Sequence, residues 1–152
     1  MKMEKKKVFI IMPFDDKYFE IYELLIREFE KDFLFLHAGE NNQQEIFKDI
    51  IQAIYDSDII IANLTGLNAN VFYELGISYT LNKKVIIITE DISTLPFDLK
   101  NYQALEYSTH FVKFREFLMG LKNYMYGAVT GEVAFQNPVT DFLITKNEKN
   151  VE

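Results

Sequence analysis

Three stretches of this chain are apolar without interruption and without alternation: Val8-Phe9-Ile10-Ile11-Met12, Ile59-Ile60-Ile61-Ala62 and Val85-Ile86-Ile87-Ile88. A strand with one wet face alternates apolar and polar residues. Unbroken runs this short fit strands covered on both faces, the pattern of a parallel sheet. Between them the spacing changes to three and four. Tyr18, Ile21, Tyr22, Leu25 and Phe29 predict one helix, and Ile46, Ile50, Ala53 and Ile54 a second, with Asn42 and Glu45 as its capping box. Phe33 to Leu36 reads as a short second strand, Asp58 to Ala62 as the third, Val71 to Leu81 as helix, and Val85 to Ile88 as the fourth strand. A fifth strand is expected near Ala104 to Tyr107, followed by an amphipathic helix marked by Phe111, Phe114, Phe117 and Leu118. Strand and helix in alternation give a three-layer flavodoxin-like (Rossmann-like) α/β fold around a parallel sheet of about five strands. That domain is expected to occupy residues 1–126. Residues 127–152, where Gly127, Gly131 and Pro138 weaken the periodicity, form a C-terminal tail that packs on its own domain or on a partner subunit.

Composition narrows the function. The 152 residues suit one domain, and 49% are apolar, enough for a sizeable core. Asp and Glu number 23 against 16 Lys and Arg, a formal charge of −7, which argues against binding a nucleic acid polymer. With no Cys there is no disulfide, thiolate nucleophile or Cys-based metal site, and two His make a zinc centre an unattractive reading. No metal and no cofactor are expected. The basic start, Lys2 to Lys7, precedes an apolar run too short for a signal peptide or a membrane span, so a cytoplasmic protein is the expectation.

Ligands of such sheets sit beyond the carboxyl ends of the strands, which directs attention to the residues after Met12, Ala62 and Ile88. Three loops are expected to converge there: Pro13-Phe14-Asp15-Asp16, Asn63 to Asn70, and Thr89 to Asp98. Asn68 and Asn70 precede a helix whose first amides could hold a phosphate or a ribose hydroxyl, and Gly66 could supply a tight turn. Alternatively Asn70 is only a cap and Gly66 only a turn residue. With Asn70 as the cap, Glu74 falls one residue beyond the capping-box position, on the side of Ile77, Ser78 and Leu81. It is a candidate catalytic carboxylate, pulled upward in pKa by burial and downward by the helix dipole, or else simple dipole compensation. Gly76 in the same helix suggests close packing. Asp49 reads equally as a surface residue or a functional one, and His37 as structural, because nothing nearby completes a triad. Gly-rich phosphate loops, the dinucleotide fingerprint and a serine nucleophile elbow are all missing.

The run Asp58-Ile59-Ile60-Ile61-Ala62-Asn63-Leu64-Thr65-Gly66, then Asn70-Val71-Phe72-Tyr73-Glu74-Leu75-Gly76 and Lys84-Val85-Ile86-Ile87, resembles the nucleoside 2-deoxyribosyltransferase-like family, including its bacterial nucleotide-binding, TIR-like branch. The resemblance covers roughly residues 7–107. It implies chemistry at an N-glycosidic bond of a nucleoside, nucleotide or NAD, with NAD a substrate rather than a cofactor. Glu74 would attack the anomeric carbon and form a glycosyl-enzyme. Asp49 would orient the leaving base or shuttle its proton, and Phe14 or Tyr18 would stack on it. Pro13, Asp15, Asn63, Thr65, Gly66, Asn68 and Asn70 would complete the substrate pocket. Asn68 stands where the family carries an Asp six residues before the Glu, easing acceptance of a 5′-phosphate. Asn63 likewise stands where relatives often have Asp. A homodimer or larger homo-oligomer is expected from the family. The alternative is a non-catalytic nucleotide-sensing module of signalling or phage-defence type.

Overall fold

The structure is a computed structural model and describes residues 4–39, 43–96 and 99–149. Its centre is a five-stranded parallel sheet in the order β2-β1-β3-β4-β5. The strands are β1 (Lys6–Ile11), β2 (Phe33–Leu36), β3 (Ile59–Asn63), β4 (Lys84–Thr89) and β5 (Ala104–Glu106). They alternate with α1 (Phe19–Phe29), α2 (Gln43–Asp56), α3 (Ala69–Thr80) and α4 (Phe111–Thr130), and α5 (Pro138–Lys149) follows. This is the doubly wound, flavodoxin-like arrangement that the unbroken apolar runs predict.

Register explains why those runs do not alternate. Ile10, Ile61 and Ile86 stand side by side across β1, β3 and β4, and belong to the core against α1 and α4 with Leu25, Phe29, Phe117, Leu121 and Met125. One position on, Ile11, Ala62 and Ile87 form a second row facing α2 and α3, with Ile54, Val71, Leu75 and Tyr79. Both sheet faces are covered, so both sets of side chains must be apolar.

Local chemistry sets the ends. Asp15 accepts from Lys17 N at 3.1 Å and starts the single 3-10 turn that leads into α1. The proposed capping residue Asn42 lies outside the described residues. Before α3 the chain turns through Gly66 (φ 81°) and Leu67 (φ 53°), and Asn68, in extended conformation, is the true cap. Its Oδ1 accepts from Asn70 N at 2.9 Å and Val71 N at 3.2 Å. The helix therefore begins earlier than a cap at Asn70 requires, because the left-handed turn completes the reversal before Asn70 is reached.

Two features of the chain read differently in three dimensions. Gly76 packs against nothing: a Cβ there would meet no atom within 4 Å, so close approach to the sheet is not its reason. And α5 was invisible to periodicity, although Asn137-Pro138 marks its start. Asn137 Oδ1 accepts from Val139 N at 2.9 Å, and its Nδ2 donates to Tyr79 O at 2.7 Å, tying this segment to α3. No helix among the described residues is long and apolar enough to cross a membrane.

Candidate active site

A cleft of about 900 Å³ opens beyond the carboxyl ends of β1 and β2. The strand order makes these two strands neighbours, so the loops that leave them share one edge. Met12 to Asp16 form one wall, His37 to Gly39 another; α1 adds Phe19 and Tyr22, α2 adds Ile46 and Ile50, and α3 adds Glu74.

Among the described residues, Glu74 is the one carboxylate that an α-helix brings to the cleft. It is the sixth residue of α3, past the reach of the N-terminal amides, and only 8% exposed. Its neighbours on α3, Val71, Leu75 and Ser78, are buried with it, and Ser78 Oγ is turned back on the Glu74 carbonyl at 2.9 Å. Among the described residues no hydrogen bond or ion pair reaches the carboxylate. Burial accordingly pushes its pKa from 4.5 up to about 7. A carboxylate in this state is poorly solvated. It is a better nucleophile and a stronger stabiliser of positive charge than one in water.

Of the other residues singled out in the sequence, Pro13, Phe14 and Asp15 line the cleft. Phe14 is 83% exposed at its mouth, free to lie against a planar ligand. Tyr18 is not available for stacking: it is buried in the core, with its Oη donating to Thr65 O at 3.2 Å. Asp49 sits half-buried on α2 between helix neighbours and does not line the cleft, unlike Ile46 and Ile50.

The loop from Asn63 to Asn70 serves a different purpose from the one its polar composition suggests. Asn63 is 1% exposed; its Nδ2 donates to Tyr107 Oη at 3.1 Å and its Oδ1 accepts from Thr65 N at 3.1 Å. Thr65 Oγ1 also meets Tyr107 Oη at 3.1 Å and accepts from Glu90 N at 3.0 Å. Gly66 turns directly over Tyr18, whose Oη would lie 3.0 Å from a Cβ at that position. Asn68 caps α3, and Asn70 is exposed with its amide spent on that cap. None of these residues lines the cleft, and the Asn70 and Val71 amides at the helix start are already bonded to Asn68 Oδ1.

Sequence reasoning gave Phe19 and Tyr22 no place in the site and read His37 as structural; all three line the cleft. The rings of Phe19 and Tyr22 are 6.5 Å apart and 27° from parallel, those of Tyr22 and His37 6.2 Å apart and 70° inclined. Tyr22 Oη and His37 Nδ1 share a 2.5 Å hydrogen bond. The signal was present in the pattern, because His37 is the first residue after the second strand and so stands at a ligand-facing edge.

A family model described as nucleoside 2-deoxyribosyltransferase matches residues 3–138. The chain belongs to that family. Solved structures place this family member among known folds. A 2-deoxyribosyltransferase from Leishmania mexicana is 18% identical, with a TM-score of 0.56 over 75% of this chain and 97% of that one. A CMP N-glycosidase from Clostridium botulinum is 21% identical, with a TM-score of 0.58 over 77% and 98%. The 2-deoxyribosyltransferase of Bacillus psychrosaccharolyticus is 17% identical, with a TM-score of 0.54 over 75% and 95%. Among curated protein sequences nothing matches. For a nucleoside 2-deoxyribosyltransferase family member the chemistry is enzymatic cleavage or transfer at an N-glycosidic bond of a nucleoside or nucleotide.

Proposed function

We propose that this chain acts on an uncharged nucleoside, with Glu74 as the nucleophile at C1′. The observation that carries the substrate choice is the charge of the cleft. Its walls hold Asp15, Asp16 and Glu74, and among the described residues no Lys or Arg lines it. A phosphate would enter without a cation to neutralise it and would face carboxylates instead, an arrangement that selects against anions. The helix N-terminus that the sequence suggests as a phosphate cradle offers no relief, because Asn68 occupies the Asn70 and Val71 amides. The Asn68 side chain therefore serves the cap of α3 and is not available to a phosphate. The Clostridium structure is described as acting on CMP; the charge on this cleft argues for a different choice here.

In the reaction, a Glu74 oxygen bonds to C1′ as the C1′–N bond breaks, and the electron pair leaves with the base. Positive charge develops on the sugar, beside a carboxylate that water screens weakly. Water or a second base then displaces Glu74. Phe14 and Phe19, both exposed at the mouth, supply apolar surface for the planar base.

The test is chromatographic detection of free base from 2′-deoxynucleosides, ribonucleosides, their 5′-monophosphates and NAD, with and without an acceptor base. Release from the uncharged nucleosides, lost in a folded Glu74→Gln variant, is the expected result. Preference for the monophosphates or NAD would overturn the substrate choice. Saturable binding without release would favour a nucleotide-sensing module, the reading to which the committed side chains of Asn63 and Asn68 lend support.

A further inference from the structure

We infer that the rim of the sheet opposite the cleft carries a second binding site, which takes the phosphate group of a small ligand. A cavity of about 250 Å³ lies there, lined by Lys6, Asp58, Asn82, Lys83 and Lys84 beside Ala128 near the end of α4. The strand register brings these residues together. Lys84 on β4 pairs with Ile59 on β3, and Ile59 with Val8 on β1, so the amino ends of three adjacent strands meet at this point. Lys6 and Lys84 share the sheet face of Val8 and Ile86, the face that α4 covers. The chain carries a net charge of −7, yet here three lysines meet a single aspartate. The volume of about 250 Å³ is about eight times the ~30 Å³ share of one water, room for a phosphate and part of what it is attached to.

Two of the lysines are held in place. Lys83 Nζ donates to Tyr55 O at 2.7 Å and Ser57 O at 2.8 Å, and Lys84 Nζ donates to Ala128 O at 2.6 Å. These carbonyls end α2 and α4, so each ammonium satisfies a helix terminus. An ammonium has three donors, which leaves one on Lys83 and two on Lys84. Among the described residues no carboxylate lies within ion-pairing distance of Lys6, Lys83 or Lys84. Asp58, the one carboxylate of the lining, spends its Oδ2 on Lys7 N at 2.8 Å. Asn82 Oδ1 accepts from Asn137 Nδ2 at 3.4 Å, and its own Nδ2 remains a donor. Helix capping accounts for where Lys83 and Lys84 sit. It does not account for Lys6, whose ammonium has no hydrogen bond among the described residues, nor for the cavity that all three line. A lysine that grips an anion loses rotamer freedom; here backbone carbonyls have already fixed two of the three, which lowers the cost of binding. A phosphate group brings negative charge and three strong acceptor oxygens to that set of donors.

The experiment is isothermal titration calorimetry of the whole chain with inorganic phosphate and, separately, with ribose 5-phosphate, each against sodium chloride at equal ionic strength. Saturable binding of phosphate that chloride does not reproduce is the expected result. Tighter binding of the sugar phosphate would identify the ligand as a phosphorylated metabolite, and equal affinities would identify free phosphate. Lys6→Gln should weaken binding about threefold to tenfold. Asp58→Asn keeps an oxygen for Lys7 N and removes the one negative charge of the lining, so it should tighten binding by a similar factor. Both positions are exposed, and circular dichroism checks that both variants fold. Glu74→Gln, at the opposite rim, should bind phosphate as the wild type does. No saturable binding, heat that chloride reproduces, or affinities that neither Lys6→Gln nor Asp58→Asn moves would each overturn the assignment. So would a change in affinity in Glu74→Gln, which would place the phosphate in the cleft.

Discussion

Replacing Glu74 by Gln should stabilise this protein at pH 8 and leave it unchanged at pH 4. Burial raises the carboxyl from 4.5 to about 7. A raised acid is a stability statement with a definite sign. Between those two values the folded state holds a proton that the unfolded chain has released, so stability falls as pH rises. Below pH 4.5 both states are protonated and nothing is lost; above pH 7 both are ionised and the full penalty stands. At about 1.4 kcal/mol per pH unit the whole shift would amount to ~3 kcal/mol. Water on the cleft side screens the charge, and we expect ~2 kcal/mol to be realised. Gln has the shape and polarity of the protonated acid and never ionises, so the variant escapes this penalty.

The assay is thermal or urea unfolding of both proteins at half-unit steps from pH 4 to 8.5. For a chain of this size ~2 kcal/mol corresponds to a midpoint higher by ~4–8 °C in the variant at pH 8. The gap should close as pH falls and vanish near 4.5. A constant gap would mean that the substitution acts through packing. A variant less stable than wild type at pH 8 would mean that the carboxylate has a stabilising partner, and would refute the argument from desolvation. Base release should follow the same ionisation, rising with pH through about 7 as Glu74 becomes a nucleophile, which a kcat/KM profile would trace.

Asn68→Ala should cost ~1 kcal/mol through loss of the α3 cap, whereas Asn68→Asp should fold as well as wild type because either side chain caps a helix; calorimetry distinguishes them. Gly76→Ala should raise stability by roughly 0.5–1 kcal/mol in urea unfolding, since its Cβ enters open space on a helix. Gly127→Ala should do the reverse, because the Cβ would fall 2.2 Å from Val133 Cγ2. Tyr107→Phe leaves Asn63 Nδ2 and Thr65 Oγ1 without their shared partner and should cost ~1–3 kcal/mol in the same assay.

The sheet was legible because burial on both faces writes itself into consecutive residues. Val8 to Met12 and Ile59 to Ala62 could hardly be anything but interior strands, and their order in the chain implied the crossovers. Asn137-Pro138 shows the opposite case. Helix α5 carries only a short apolar pattern, with Val139 packed on the core while Phe142 and Leu143 are exposed, and one carboxamide reaches the Tyr79 carbonyl 58 residues earlier in the chain. No local pattern contains that information. The burial of Glu74 was legible only in part: the sequence set it beside Ile77, Ser78 and Leu81, whereas its buried helix neighbours are Val71, Leu75 and Ser78, and Leu81 is exposed. The Asn63–Asn70 loop misled for a related reason: polar side chains that satisfy one another inside a fold are indistinguishable, in sequence, from polar side chains that await a ligand.

That ambiguity has a consequence for how the site is divided. Asn63, Thr65 and Tyr107 exchange hydrogen bonds among themselves, and Asn68 spends its oxygen on α3. This network precedes the helix on which Glu74 rides, so on the proposed reading it would contribute by aiming a carboxylate it does not touch. The groups that remain open to substrate come instead from the other side of the cleft: the exposed rings of Phe14 and Phe19, and the Tyr22–His37 pair. A hydrogen-bonded wall carrying Glu74 thus faces an aromatic wall. On the proposed reading the two would act on different parts of the substrate, Glu74 at the sugar carbon and the aromatic wall at the base. Substitutions within the Asn63 network should therefore change stability and kcat together, while those on the aromatic wall should change which base is released with the fold intact.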